Sequence, residues 1–318
     1  MVEHNVILES SDCPLHSGGE DIHILRGRDR LHDLPGEFDI VECKRCGLMR
    51  TSPRPVPNSI GYYYPLDYGP YKGTVVATNN EKRNWKSLLV SVGKTVFDVK
   101  AAALPKMPVG EMLEIGCASG SFLHLMAKRG WNVEGIEFSP EAAQSARELG
   151  YPVSTGAVET IDKPRDHFDL VVGWMVVEHL HDPIVALQKL AMWTRKGGML
   201  AISVPNAGSF EFRLFGPRWY ALHLPNHLYH FDPQTIRATL EAGGWRVTKI
   251  IHQRTISNII ASAGYWLSDH GYISAGRMLS NFPERGGRIG TLLLFPISYV
   301  MALFGQTGRM TVWAERKD

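Results

Sequence analysis

Met112-Leu-Glu-Ile-Gly-Cys-Ala-Ser-Gly-Ser-Phe122, followed by Gly135-Ile-Glu137, decides the fold. Met112 to Ile115 is an apolar run of strand length. Gly116 and Gly120 then allow a tight turn into a helix starting near Ser121. Backbone N–H groups and a helix N-terminus meet at such a turn and favour a polar or anionic ligand group. Glu137 closes a second apolar run, Val133 to Ile136. An acidic residue at that spacing, on the tip of the second strand, reaches a ribose diol.

Outward from this stretch, strands and helices alternate. Strands are expected at 112–116, 132–137, 152–156, 168–175 and 199–205. Ser139-Pro140, Asp182-Pro183 and Asp232-Pro233 each read as an N-cap followed by proline at the first helical position. Those helices should stop at Gly150, near Gly197-Gly198, and at Gly243-Gly244. The pattern predicts an α/β fold, a doubly wound and mostly parallel sheet with helices on both faces. A sixth strand is expected at 245–252. The alternating segment Arg309 to Arg316 can join it as a closing antiparallel strand.

The chain has 318 residues, 44% of them apolar and 21% charged, with a formal net charge of +2. That charge gives no excess of cations to neutralise phosphates, so no nucleic-acid partner is expected. Four cysteines are too few for a disulfide scaffold. Residues 1–30 carry many charges and no apolar core, so the expected compartment is the cytoplasm. In the first 50 residues, Cys43-Lys-Arg-Cys46-Gly47 has the spacing of a metal knuckle, and Cys13-Pro-Leu-His16 has the same shape. Cys13, His16, Cys43 and Cys46 together make a Cys3His set suited to structural Zn2+. The chain between the pairs fits a small hairpin, 22–25 with 38–41. Residues 51–108 read as a Pro/Tyr-rich linker followed by a helix at 81–103, with the tyrosines packing on the core or lining a substrate mouth.

Six stretches carry a resemblance: Leu113 to Gly120, Gly135 to Pro140, Phe168 to Val172, Val177 to Pro183, Lys196 to Leu200 and Ser203 to Asn206. In this order they resemble the class I S-adenosylmethionine-dependent methyltransferases, in the bacterial branch with an N-terminal zinc-ribbon-like segment. The resemblance implies a seven-stranded sheet over 109–254 and 308–318, with a substrate cover at 206–231. It places Glu114, Gly116 and Gly120 at the methionyl part of the cofactor, with Ala118 where the family has its middle glycine. It gives Glu137 the ribose hydroxyls and Phe138 the adenine face. Gly156, Ala157 and Val158 fall at the adenine edge, and Trp174 and Met175 wall the sulfonium. A dinucleotide oxidoreductase is disfavoured, because Gly-x-Gly-x-x-Gly is missing.

For the transfer itself, the sequence offers Glu178, His179, His181, His223, His227 and His230. Histidine is the natural base near neutral pH. His227 is the first candidate and His230 the next, one of the two being structural. A related branch that methylates RNA ends holds magnesium with Glu-x-x-Glu-His. Met175 stands at the first of those positions here, which leaves the set incomplete. The expected activity is O-methylation of a hydroxyl on a sugar, glycan or lipid-linked precursor. The alternatives are a quinone-like or secondary-metabolite phenol as acceptor and, from another class, a non-catalytic binding module. The insertion at 255–307 contains a nearly apolar stretch, 291–304, too short and proline-broken to span a bilayer. A helix packed on the core and an interfacial helix touching a membrane through 290–305 are the remaining readings.

Overall fold

The computed structural model describes residues 6–64, 104–285 and 288–317. The helix expected at 81–103 and the tyrosines at 68 and 71 lie outside the described residues.

The N-terminal part contains β1 (Leu8–Glu9), β2 (Asp21–Arg28), β3 (Glu37–Cys43), β4 (Met49–Thr51) and β5 (Arg54–Pro55). The expected hairpin is therefore β2 and β3, each longer than its apolar centre suggested. Residues 51–64 are more than a linker. β5 pairs with β1, and a 3-10 turn at Ile60–Tyr63 buries Tyr63.

The core begins with β6 (Glu111–Ile115), α1 (Ser121–Ala127), β7 (Asn132–Glu137), α2 (Pro140–Glu148), β8 (Val153–Thr155) and β9 (Phe168–Trp174). It continues with α3 (Pro183–Trp193), β10 (Thr194–Pro205), α4 (Phe210–Phe215), β11 (Tyr229–His230), α5 (Pro233–Ala242) and β12 (Trp245–His252). Four helices, α6 (Ser257–Asp269), α7 (Ile273–Ser280), α8 (Phe282–Arg285) and α9 (Arg288–Leu303), precede the closing strand β13 (Arg309–Arg316). The caps act as the sequence implies. Ser139 accepts from the Ala142 N–H, Asp182 from Val185, and Asp232 closes a capping box with Thr235. Such a cap is worth about 1 kcal/mol. The α3 boundary is a correction. The helix ends at Trp193, and Gly197-Gly198 lies inside β10, where the register shifts between Thr194 and Met199. Two glycines there loosen the ladder rather than end the helix.

Seven strands form one sheet in the order β12-β13-β10-β9-β6-β7-β8. β13 runs antiparallel to both neighbours, and β6 to β10 are parallel. The central strands are apolar runs because both faces are covered. Leu113, Ile115 and Val171 pack into one cluster, while Met112, Leu170 and Val172 pack into another.

A second sheet has the order β11-β4-β3-β2. Three of its strands are N-terminal, and the fourth comes from the expected substrate cover. The N-terminal sheet is thus completed by Tyr229–His230.

Candidate active site

Beyond the C-terminal ends of the parallel strands, where α/β sheets hold ligands, lies a cavity of about 960 Å3. Its wall draws on the glycine turn, the tips of β7 and β9, the segment 220–227 and the N-terminal Ile60 and Tyr64.

On one part of the wall stand Gly116, Ala118, Glu137, Phe138, Gly156, Ala157 and Val158, as expected. Gly116 has φ +64°, and a Cβ there would sit 2.5 Å from a Val176 methyl carbon, so both the turn and the packing require glycine. The Glu137 carboxylate is buried and accepts two backbone N–H groups, Ala118 at 2.8 Å and Ser139 at 2.9 Å. It thereby fastens the glycine turn to the end of β7. Burial raises its pKa, against these two bonds. A carboxylate has about four acceptor sites, so both oxygens keep capacity for ligand hydroxyls. Phe138 is half exposed at the rim.

Two of the expected cofactor residues do not line the cavity. Glu114 is buried behind the turn. Gly120 caps α1 at φ +83°, where a Cβ would meet the Cβ of Ala146 at 2.9 Å. Its smallness serves helix packing.

Trp174 and Met175 line the sheet side. The Trp174 indole N–H is buried with no hydrogen-bond partner among the described residues. An unpaired buried donor of this kind costs about 1–3 kcal/mol. Of five described non-glycine residues with positive φ, three line this cavity: Ala118 (+47°), Met175 (+59°) and His223 (+43°). Backbone strain concentrates at functional sites in this way.

Another part of the wall carries imidazoles. His179, His223 and His227 all line the cavity. The rings of His179 and His227 are 4.6 Å apart, and those of His223 and His227 are 4.8 Å apart. His227 Nδ1 lies 2.8 Å from the Ala221 carbonyl and donates to it, so its Nε2 accepts from His223 Nδ1 at 3.3 Å. His179 Nδ1 lies 2.9 Å from the Asn226 carbonyl and 2.9 Å from the Tyr64 hydroxyl. Donation to the carbonyl leaves its Nε2 with the lone pair. Burial is the first cause lowering every one of these pKa values: to about 3 for His179, to about 4 for His223 and well down for His227. All three rings are neutral near pH 7. His230 does not line the cavity. It is buried, with Nε2 3.2 Å from the Thr51 hydroxyl.

Glu178 is fully buried, and neither of its oxygens has a partner among the described residues. Burial raises its pKa to about 8. Ligand atoms of Glu178, His179 and His227 lie within 4.8 Å of one another, a donor set able to take a divalent ion. His227 joins this pair from far along the chain, a juxtaposition invisible to motif spacing.

The N-terminal sulfurs of Cys13, Cys43 and Cys46 also converge within 4.8 Å. The ring of His16 is not part of that cluster. The Pro14-Leu15 turn brings the His16 backbone to Cys13, with its N–H bonded to the Cys13 carbonyl at 3.1 Å.

Sequence spacing did not single out Ser203, Gln253, Thr255 or Arg309 as cavity residues. Tyr64 stood in the tyrosine run as a candidate for the substrate mouth, and His223 stood among the histidines without a role.

The sheet order, the glycine turn and the acidic tip of β7 are those of a class I S-adenosylmethionine-dependent methyltransferase. The chain belongs to the methyltransferase-domain family, whose model matches residues 92–250, half of the sequence. It is similar to the ubiquinone biosynthesis O-methyltransferase of Xanthomonas campestris pv. campestris (strain B100), 25% identical over 169 residues. That match covers 50% of this chain and 70% of the relative. It is also similar to the malonyl-[acyl-carrier protein] O-methyltransferase of Serratia marcescens, 26% identical over 211 residues, 61% of this chain and 80% of the relative. Among solved structures, the S-adenosylmethionine-dependent methyltransferase of Mesorhizobium loti aligns with a TM-score of 0.46 at 15% identity. It covers 72% of this chain and 100% of that one.

Proposed function

We infer that this methyltransferase methylates the oxygen of a phenolic, quinone-like or secondary-metabolite acceptor. The observation that carries the reading is the wall of neutral imidazoles in the same cavity as the glycine turn. Two O-methyltransferases among the relatives support oxygen as the acceptor atom, and the ubiquinone-biosynthesis relative supports the phenol. The sugar, glycan or lipid-linked hydroxyl expected first takes second place on that ground.

S-adenosylmethionine, when bound, supplies a methyl group on a positively charged sulfur. Gly116, Ala118, Glu137, Phe138 and residues 156–158 are the groups suited to hold it. On the acceptor side His179 is the proposed base. Both ring nitrogens of His227, the first candidate from sequence, are engaged by Ala221 and His223. The Asn226 carbonyl fixes the His179 tautomer, so Nε2 can receive the hydroxyl proton. Glu178 belongs to the same cluster. Its buried carboxyl and a ring nitrogen of His179 lie within 4.8 Å of each other, which places it to influence that ring. His179→Ala should lower kcat by about 10²–10³-fold with donor affinity unchanged, read by labelled-methyl transfer and calorimetry. Full turnover in that variant would remove His179 from the mechanism. The acceptor class is tested by offering catechols and quinols against activated sugars and lipid-linked glycans.

A structural zinc held by Cys13, Cys43 and Cys46 is part of the proposal; the donor set suits it. So is a peripheral membrane contact. α9 and its end expose Ile297, Val300, Leu303 and Phe304, which suits a lipophilic acceptor. Among the described residues, no helix is long and apolar enough to cross a membrane.

A further inference from the structure

The histidine wall does not stand on the core alone. Cys43 ends β3, and the turn through Cys46 and Gly47 leads straight into β4. The Cys43 N–H bonds to the Leu48 carbonyl at 3.1 Å, and the Gly47 N–H to the Cys43 carbonyl at 2.8 Å. The thiolate turn thus sets where β4 begins. β4 ends at Thr51, which is completely buried. The Thr51 N–H donates to the Leu228 carbonyl at 2.9 Å, and its hydroxyl donates to the His227 carbonyl at 2.8 Å. With its proton so used, the hydroxyl lone pair faces His230 Nε2 at 3.2 Å and accepts from it. One side chain thereby fixes the backbone of a cavity histidine and the tautomer of the buried one beside it.

The neighbouring bonds run the same way. The Asn226 side chain donates to the Tyr63 carbonyl at 2.8 Å, while the Asn226 backbone carbonyl accepts from His179. Among the described residues, the glycine turn and the tip of β7 show no comparable tie to the N-terminal sheet. Glu137, Ala118 and Ser139 bond to one another within the core.

We propose that Thr51 is a positioning residue of the acceptor side, through which the thiolate turn of the N-terminal sheet sets the histidine wall. The proposal rests on the methyl-transfer reading of that wall. It separates the two halves of the reaction: the core holds the donor, and the N-terminal sheet holds the segment that carries His227 in register.

The test uses the full chain, purified in the presence of zinc. Thr51→Val keeps the shape and removes the hydroxyl. It should lower kcat about tenfold, with donor affinity and acceptor KM each within about twofold of the parent. Thr51→Ser should restore turnover. In nitrogen NMR spectra, the ring signals of His227 and His230 should move in Thr51→Val and return in Thr51→Ser. Chelating the metal should lower kcat of the parent to a similar degree and add little further loss in Thr51→Val, the non-additivity of a shared path. Full turnover in Thr51→Val, a parallel loss of donor affinity, additive losses, or a purified protein with no metal at the thiolates would each overturn the proposal. If no acceptor is methylated by the parent, the functional reading fails instead. The NMR comparison still judges Thr51, since unmoved histidine signals refute its role.

Discussion

Ala118 is where the glycine turn carries its strain. The residue sits at φ +47°, a region that costs an L-residue about 1 kcal/mol or more, and its N–H is committed to Glu137. Ala118→Gly should therefore stabilise the fold by about 0.5–1 kcal/mol after the extra unfolded-state freedom is counted, measured by urea unfolding. A loss of stability would show that the methyl packs better than it strains. The buried titratable groups fix the pH dependence. His179, His223 and His230 have pKa values lowered to about 3, about 4 and about 3, so between those values and 6.5 only the unfolded chain binds their protons. Stability then rises with pH, by up to about 1.4 kcal/mol per unit for each histidine. Glu178 and Glu211 act oppositely, with pKa values raised to about 8 and about 7 by burial. Their contribution is full below pH 4.5 and is lost progressively as the pH rises through 7 to 8. Denaturation midpoints from pH 4 to 8 should peak near pH 6.5; a profile still climbing at pH 8 would contradict the buried neutral carboxyls.

The elements differ in how far the sequence betrays them. β7, β12 and β13 match their expected ranges residue for residue, because apolar runs or clean alternation end at charges or glycines. The capped helices start where Ser139, Asp182 and Asp232 say. β10 was hidden at its start, since Thr194 to Gly198 has the glycines of a helix end and none of the apolar character of a strand. β11 was hidden altogether. Two residues carry no periodicity, and their partner lies far away in the chain. The donor side of the site was legible, because it is one turn and one strand tip. The acceptor side was not, because Tyr64, His179, His223 and His227 meet only when β4 and β11 pair. The thiolate turn belongs to this scale too. One equivalent of divalent metal per chain is expected by elemental analysis, and Cys43→Ser should remove it and lower the melting temperature. Full metal content in that variant would exclude the cluster.

Across the whole molecule, the helices between β12 and β13 set one exposed face against the solvent. Leu303 and Phe304 are 66% and 74% exposed, and Ile297 and Val300 are both above half. Leu303→Ser with Phe304→Ser should weaken partition onto anionic vesicles about tenfold at unchanged donor affinity, as lost apolar contact implies. Equal partition of parent and variant would leave this face as ordinary surface. The two sheets joined through Tyr229–His230 have a consequence in time as well as in space. β2, β3 and β4 leave the ribosome early, but the strand that completes their sheet is made roughly 180 residues later, about 10–40 s at ordinary elongation rates. Over that interval Thr51 and the β4 edge have no partner, and a nascent chain must keep that edge from other strands. Synthesis speed through the core thus becomes a variable in how much active enzyme a cell obtains.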